Sequence, residues 1–296
     1  MLYGAIEAGG TKWVCAVSDG DGRLLASEVV PTAKPEETIP AAVRFFLRHQ
    51  RPAAIGVGSF GPIDLNPASP TYGYITTTPK PGWAYTDVVS PLRDALQVPI
   101  GFDTDVNAAA LGEWRHGAGR GLDTIAYVTV GTGIGMGAIV GGRILHGLVH
   151  PEFGHTYIPH DADIDPFAGS CPYHGDCLEG LASGEAMRQR WGRPAEEVDD
   201  AWAWELEAEY LALAVTNLTY ALSPQRVIIG GGVAKRESLI QNVRVRALEL
   251  LAGYPEVPPL TDLDAMAQYL VGPSLDDLSG VLGAVELARD AVEGTL

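Results

Sequence analysis

The residues best suited to chemistry are three glycine-rich turns, two neighbouring aspartates and a run of cysteines and histidines. Gly9-Gly10-Thr11-Lys12 and Gly131-Thr132-Gly133-Ile134-Gly135 offer backbone without Cβ atoms. Such turns approach a phosphate closely and aim several N–H groups at it. Thr11 and Lys12 add a hydroxyl and a cation to the first turn, and the second repeats it without the cation. Gly230-Gly231-Gly232, between a strand and a predicted helix, reads as a third turn where a helix N-terminus meets an adenosine or phosphate group. No Gly-x-x-x-x-Gly-Lys-Ser/Thr run occurs, so this is not a P-loop. Gly133–Ala138 fits a loose dinucleotide fingerprint, but Ala138–Val140 continues as strand where that fingerprint must open a helix.

Asp103-Thr104-Asp105-Val106-Asn107 lies at a strand end and runs into an Ala-rich helix. Carboxylates at the C-terminal end of a strand face the crevice of an open α/β sheet. One there can take a proton from a sugar hydroxyl during phosphoryl transfer. Either aspartate could instead cap the helix, and both roles can be filled at once. Glu7, just ahead of the first turn, holds a water on Mg²⁺ or is simply a solvated strand end.

Cys171-Pro172-Tyr173-His174-Gly175-Asp176-Cys177 is a Cys-x-x-His-x-x-Cys run, with His155 on the same irregular segment. Two thiolates and two imidazoles complete a tetrahedral zinc shell, and a shell with no open position is structural. His150 and His160 compete with His155 for the fourth place. Glu152 and Glu179 flank the ligands, so a metal would also position two carboxylates.

Strands and helices must alternate to hold these groups. Helical spacing marks Glu36–His49, Val106–Trp114, Ala195–Leu222, Glu237–Leu251 and Leu282–Ala291. Asn66–Trp83 reads as a long loop and His150–Glu179 as irregular chain. The expected class is α/β with largely buried sheets. An internal similarity sharpens this. Ile6–Arg23 and Val128–Arg143 both read strand, Gly-rich turn, strand, Gly turn, then Arg-Leu-Leu or Arg-Ile-Leu. Two copies imply two similar lobes with a ligand-binding cleft. The expected division is 1–115 and 116–280, with a metal loop at 150–180 and a terminal helix, 281–296, returning to the first lobe.

Composition narrows the function classes. With 20 Lys+Arg against 37 Asp+Glu, the formal net charge is −17. Nucleic-acid and anionic-membrane binders need a positive field, so neither partner is expected. Hydrophobic residues at 46% and charged residues at 19% exclude an acidic disordered chain. Cys15, Cys171 and Cys177 are an odd, sparse set that suits reduced thiols or metal ligands. The longest mostly apolar run, Tyr210–Leu222, is too short and polar to span a bilayer, and no signal peptide is evident. A cytoplasmic protein is expected.

Taken together, these residues resemble the sugar kinases of the repressor/open-reading-frame/kinase (ROK) group, most closely its zinc-containing bacterial fructokinases. The resemblance runs through Gly4–Cys15 (GAIEAGGTKWVC), Gly56–Asp64 (GVGSFGPID), Thr76–Trp83 (TTTPKPGW), Asp103–Glu113 (DTDVNAAALGE), Gly131–Gly137 (GTGIGMG), His150–His155 (HPEFGH), Cys171–Gly184 (CPYHGDCLEGLASG) and Ile228–Val233 (IIGGGV). It implies an actin-like, hexokinase-like pair of lobes, with a duplicated β-hairpin-containing core and a central cleft closing over MgATP and a hexose. Asp105 is then the general base. Gly61, Glu152, His155 and Glu179 join Asp105 around the sugar. Gly10, Thr11, Lys12, Thr132 and Gly133 cradle phosphates, with Gly180 and Gly230–Gly232 near the nucleotide. His155, Cys171, His174 and Cys177 hold structural Zn²⁺. A homodimer is also implied.

Three departures refine the resemblance. Glu7 replaces the usual Asp, and His174 replaces one cysteine of a zinc run that is one residue shorter. Lys80-Pro81 replaces the usual sugar-binding Asn before Gly82-Trp83. The last two fit the fructokinase branch. They favour ATP-dependent formation of fructose 6-phosphate over glucokinase, mannokinase or N-acetylmannosamine kinase activity. The sugar-sensing repressors of the group carry a helix-turn-helix ahead of the lobes. Here the first strand begins at Leu2, so that role is disfavoured.

Overall fold

The computed structural model describes residues 1–294; Thr295 and Leu296, the last two positions of the terminal helix expected over 281–296, lie outside the described residues. The chain divides into two compact units. One contains Met1–Arg120, Ile144–His150 and the chain from Leu275; the other contains Gly121–Arg143 and Pro151–Ser274.

In the first unit a five-stranded sheet runs in the order Leu24–Pro31, Lys12–Ser18, Tyr3–Ala8, Ile55–Ser59, Ile100–Thr104. The first three strands pair antiparallel and the remaining two pairs, Tyr3–Ala8 with Ile55–Ser59 and Ile55–Ser59 with Ile100–Thr104, are parallel. Ile6, Trp13, Phe45, Phe46 and Trp83 belong to one buried apolar core, to which the helix Pro35–Leu47 contributes. Ala5 joins a second core with Val281, Ala284 and Val285 of the terminal helix Ser279–Glu293. Alternation along the strand sends Glu7 to the same face as Ala5.

Across the parallel strands Glu7, Gly58 and Asp103 are in register, so they share a face near the strand ends. That face is built for close approach of helices. A Cβ on Gly58 would lie 2.6 Å from the Ala108 Cβ and 3.4 Å from the Asp105 Cα. One on Gly283 would lie 1.6 Å from the Ala108 carbonyl oxygen. The helix Asp105–His116 and the terminal helix therefore meet almost backbone to backbone, which explains the small residues Ala108 and Gly112 at the contact. Fully buried Glu113 ties the two together. Its carboxylate accepts from the Ala118 N–H (2.7 Å), the Leu275 N–H (3.0 Å) and the Ser279 hydroxyl (2.7 Å).

The second unit repeats the plan. Its sheet runs Arg143–Ile144, Ile134–Val140, Ile125–Val130, Arg226–Gly230, Leu270–Val271. Again an antiparallel hairpin is followed by parallel neighbours. The duplicated hairpin is therefore real, and the fold is two-lobed α/β.

The helix expected over Ala195–Leu222 begins only at Ala201. Asp200 stops it there by accepting from the Trp202 N–H (2.9 Å), and Val198 is extended, its carbonyl held by the Trp204 indole. The acidic residues ahead form a separate short turn, Ala195–Glu197. Inside the Asn66–Trp83 loop, Tyr74–Ile75 pairs with Thr86–Asp87. Helices at Val89–Leu96, Gly184–Trp191, Pro258–Thr261 and Leu263–Tyr269 were not evident as periodicity, because each spans about two turns or fewer. Among the described residues no helix is long and apolar enough to cross a membrane.

Candidate active site and metal centre

Asp105 is the first residue of its helix, where the strand Ile100–Thr104 ends. Neither aspartate is the N-cap. Thr104 fills that place, its hydroxyl accepting from the Asn107 N–H (3.0 Å). The expectation that Asp103 or Asp105 caps the helix is thus corrected: threonine caps well, and it leaves both carboxylates free for other partners. Asp103 is buried. Its Oδ1 accepts from the Thr104 N–H and the Asn107 amide, both 2.7 Å, and its Oδ2 lies 2.8 Å from His146 Nε2. Asp105 spends one oxygen on the Val106 N–H (2.9 Å) and keeps an open edge. Burial pushes its carboxyl up to about 6, close to where a general base should lie.

Glu7 is not a solvated strand end. Gly280 leaves room for it: a Cβ there would lie 2.6 Å from the Glu7 carboxyl carbon. Burial, then the Asp105 charge, pushes Glu7 up to about 7, with Lys12 opposing. The turn beside it is closed by a hydrogen bond from the Gly9 N–H to the Lys12 carbonyl (3.0 Å) and braced by the Thr32 hydroxyl, which donates to the Gly9 carbonyl (2.7 Å). Gly10 faces open space, and Thr11 and Lys12 are exposed. Gly61 lies against His150, which accepts from the Ile63 N–H (3.1 Å).

In the second unit, the Gly131 carbonyl accepts from the Gly184 N–H (2.7 Å) and the Thr132 carbonyl from the Glu185 N–H (3.3 Å). The phosphate turn thus abuts the first residues of the helix Gly184–Trp191, whose cap is Ser183. Glu179 is partly committed. One of its oxygens accepts from the Ile134 N–H (3.0 Å), and Gly133 is bare because a Cβ would strike that oxygen. The carboxylate touches the phosphate turn as well as flanking the metal ligands. Glu152 is exposed, 4.0 Å from His155.

Among the glycines expected near the nucleotide, Gly180 has a packing role of its own and the helix expected after Gly232 needs correction. Gly180 owes its bareness to the metal loop, since a Cβ would lie 1.9 Å from the Gly175 carbonyl and 3.2 Å from the Cys171 Cβ. Gly230–Gly232 does not open a regular helix. Gly231 has φ +95, a left-handed turn, and only a short 3-10 turn, Val233–Lys235, follows; the helix starts at Leu239. Gly230 is bare to admit the Tyr127 hydroxyl, whereas Gly232 faces open space.

His155, Cys171, His174 and Cys177 come together, their ligand atoms all within 4.8 Å of one another, a group able to hold a metal ion. Cys171 Sγ lies 3.7 Å from both His155 Nδ1 and His174 Nδ1, and Cys177 Sγ lies 3.7 Å from His155 Nδ1. Paired backbone hydrogen bonds between Cys171 and Gly175 fold the run into a hairpin, with Gly175 left-handed at φ +67. The competing histidines are placed elsewhere: His150 on the Ile63 backbone, His160 on Asp165 and Asp176. Sequence reasoning passed over His146, gave His150 only as a competing metal ligand, and assigned no role to Ser183-Gly184. The signal for His146 was only an unassigned histidine between the second hairpin and the His150–His155 motif.

The family model described as "ROK family" matches residues 3–291. A fructokinase of Zymomonas mobilis is 45% identical over 299 residues, spanning 98% of this chain and 97% of that relative. A ROK hexokinase from Thermus thermophilus superposes with a TM-score of 0.79 at 30% identity, covering 99% of this chain and 100% of that one. A ROK family glucokinase from Streptomyces griseus, solved with glucose and AMPPNP, gives 0.77 at 25% identity, covering 98% and 100%.

Proposed function

The chain belongs to the ROK family, and from that premise we propose that it is a fructokinase, transferring the γ-phosphoryl group of ATP to the 6-hydroxyl of D-fructose. The observation that carries the chemistry is Asp105: a half-buried carboxylate at a strand end, with one oxygen uncommitted and a pKa near 6. It accepts the proton of the sugar hydroxyl as that oxygen attacks phosphorus. Gly10, Thr11, Lys12, Thr132 and Gly133 hold the phosphates, with Gly232 beside the nucleotide. Mg²⁺ bound with ATP would supply neutralisation of the charge that develops in transfer. Glu7, next to Lys12 and Asp105, orders water on that ion. Positioning and charge neutralisation are most of what phosphoryl transfer asks of a protein.

Glu152 and Glu179 accept from sugar hydroxyls, His155 turns its Nε2–H to the sugar while Nδ1 faces the metal, and Gly61 lets the sugar come close to its backbone. Fructose is favoured over glucose because the Zymomonas fructokinase is 45% identical and the Streptomyces glucokinase only 25%. Lys80-Pro81-Gly82-Trp83 fits that choice, with Trp83 fixed in the core against Trp13 and Phe60.

The metal is zinc. Tetrahedral Zn with bonds of about 2.3 Å to sulfur and about 2.0 Å to nitrogen has an S···N edge of roughly 3.6 Å. The three S···N separations of 3.7 Å match that edge. Four protein ligands leave no position for catalysis, so zinc pins the loop that bears Glu152 and Glu179. ADP release, followed with MgATP alone and with fructose added, tests the proposal. Turnover should be slow without sugar and accelerate with it. Sugar-independent turnover would contradict it.

A further inference from the structure

We propose that His146 is a positioning residue for the catalytic turn: it holds buried Asp103, and Asp103 fixes the strand–helix junction that carries Asp105. This rests on the proposed role of Asp105 as general base.

The stretch Ile144–His150 belongs to the same compact unit as Asp103 and Asp105, although the chain on either side of it belongs to the other unit. Two histidines fasten it. His150 accepts from the Ile63 N–H, and His146 Nε2 donates to Asp103 Oδ2 at 2.8 Å. The Asp103 side chain is 1% exposed, so both of its oxygens need donors. The Thr104 N–H and the Asn107 amide serve Oδ1, and His146 serves Oδ2.

The Asp103–Asn107 hydrogen bond brackets Asp105 in sequence. Asn107 is buried and its Oδ1 has no hydrogen-bond partner, so Asp103 alone orients that amide. Anything that turns the Asp103 carboxylate therefore loosens the clasp around the base. The imidazole is 42% exposed, too open for its value to lie in packing. Its hydrogen bond to Asp103 also raises its pKa, so the ring stays a donor further into the neutral range. Asp103 also faces Tyr72, whose hydroxyl is pushed up by burial and then by that aspartate's charge, and whose ring packs edge-on against Phe102.

The test compares His146→Gln with His146→Met, side chains of similar size. Only the glutamine can place an Nε2 donor on Asp103. For each variant, kcat, KM for fructose, KM for ATP and Tm are measured with the full-length protein. His146→Met should lose about 10- to 100-fold in kcat, the scale of a displaced catalytic group, with KM for ATP nearly unchanged. His146→Gln should stay within about threefold of wild type, because the hydrogen bond is kept. In the double variant with Asp103→Asn, the second change should add little to the first. Full activity in His146→Met, or equal losses in Met and Gln variants that track Tm, would overturn the inference. A wild type whose ATP turnover no hexose stimulates would instead overturn the kinase reading, and this inference with it.

Discussion

Among single side chains, Asp105 bears the most weight. Replacing it by Asn removes the proton acceptor but keeps the shape, so kcat should fall by roughly 10²–10⁴ while nucleotide binding persists. Isothermal titration with an ATP analogue, beside steady-state rates, separates the two; full activity in Asp105→Asn would rule out this base. The pH dependence has a definite sign. The Asp105 carboxyl is raised to about 6, so kcat/KM should fall as pH drops through that value and protonates the base. Stability runs the other way. Both Glu7, raised to about 7, and Asp105 favour the folded state when protonated. That contribution is complete below their unfolded values and is lost as pH rises through 6 to 7. Asp105→Asn should therefore raise Tm at pH 8, where the wild type buries a charge. The metal ligands make a second demand. Protein purified without added metal should carry about one zinc per chain, and Cys177→Ser should lose it and loosen the sugar loop. Elemental analysis decides, and less than about a tenth of an equivalent in wild type would contradict a closed four-ligand site.

Strands and helices explain why glycines cluster where they do, and the causes differ. Gly283 exists so that two helices can touch, while Gly10 faces open space beside the first phosphate turn. Gly283→Ala should cost about 1–3 kcal/mol, because the new methyl must displace backbone. Gly10→Ala should leave Tm nearly unchanged yet weaken turnover, if Gly10 cradles a phosphate as proposed, because its methyl would then crowd that group. Thermal melts and rates on the two variants check this contrast; a Gly10→Ala protein as unstable as Gly283→Ala would remove it. The sequence shows that both are bare backbone, but only packing tells which bareness is structural. The same limit hid that the missing Cβ atoms of Gly180 and Gly230 make room for the loop around Cys171 and for Tyr127. Strand positions were legible because buried strands such as Ile125–Val130 form short apolar runs between turns. The boundary at Ala201 was not, because acidic residues favour a helix's first turn and the approach to its cap alike. Cys171, His174 and Cys177 were legible as residue types at fixed spacing, whereas only the fold separates His155 from His150 and His160 as the fourth member of the cluster. His146 was not, since its partner Asp103 lies far away in sequence and only the fold joins them.

The chain as a whole folds as two units that repeat one plan, a hairpin with a bare turn followed by parallel strands. The internal repeat made that much visible from residue order alone. Which hexose the protein prefers was not visible in the same way. Hydroxyl stereochemistry is read by the placement of side chains, in the proposed site those of Glu152, His155 and Glu179, and residue type does not encode placement. The net charge of −17 sets the cationic side chain of Lys12, in the first glycine-rich turn, against an acidic background. The most direct test is kcat/KM for fructose, mannose, glucose and N-acetylmannosamine side by side with MgATP, the product's phosphate located by NMR. Fructose should give the highest value, and its phosphate should sit on the 6-hydroxyl. A glucose value about tenfold above that for fructose, some 1.4 kcal/mol in transition-state binding, would contradict the fructokinase assignment.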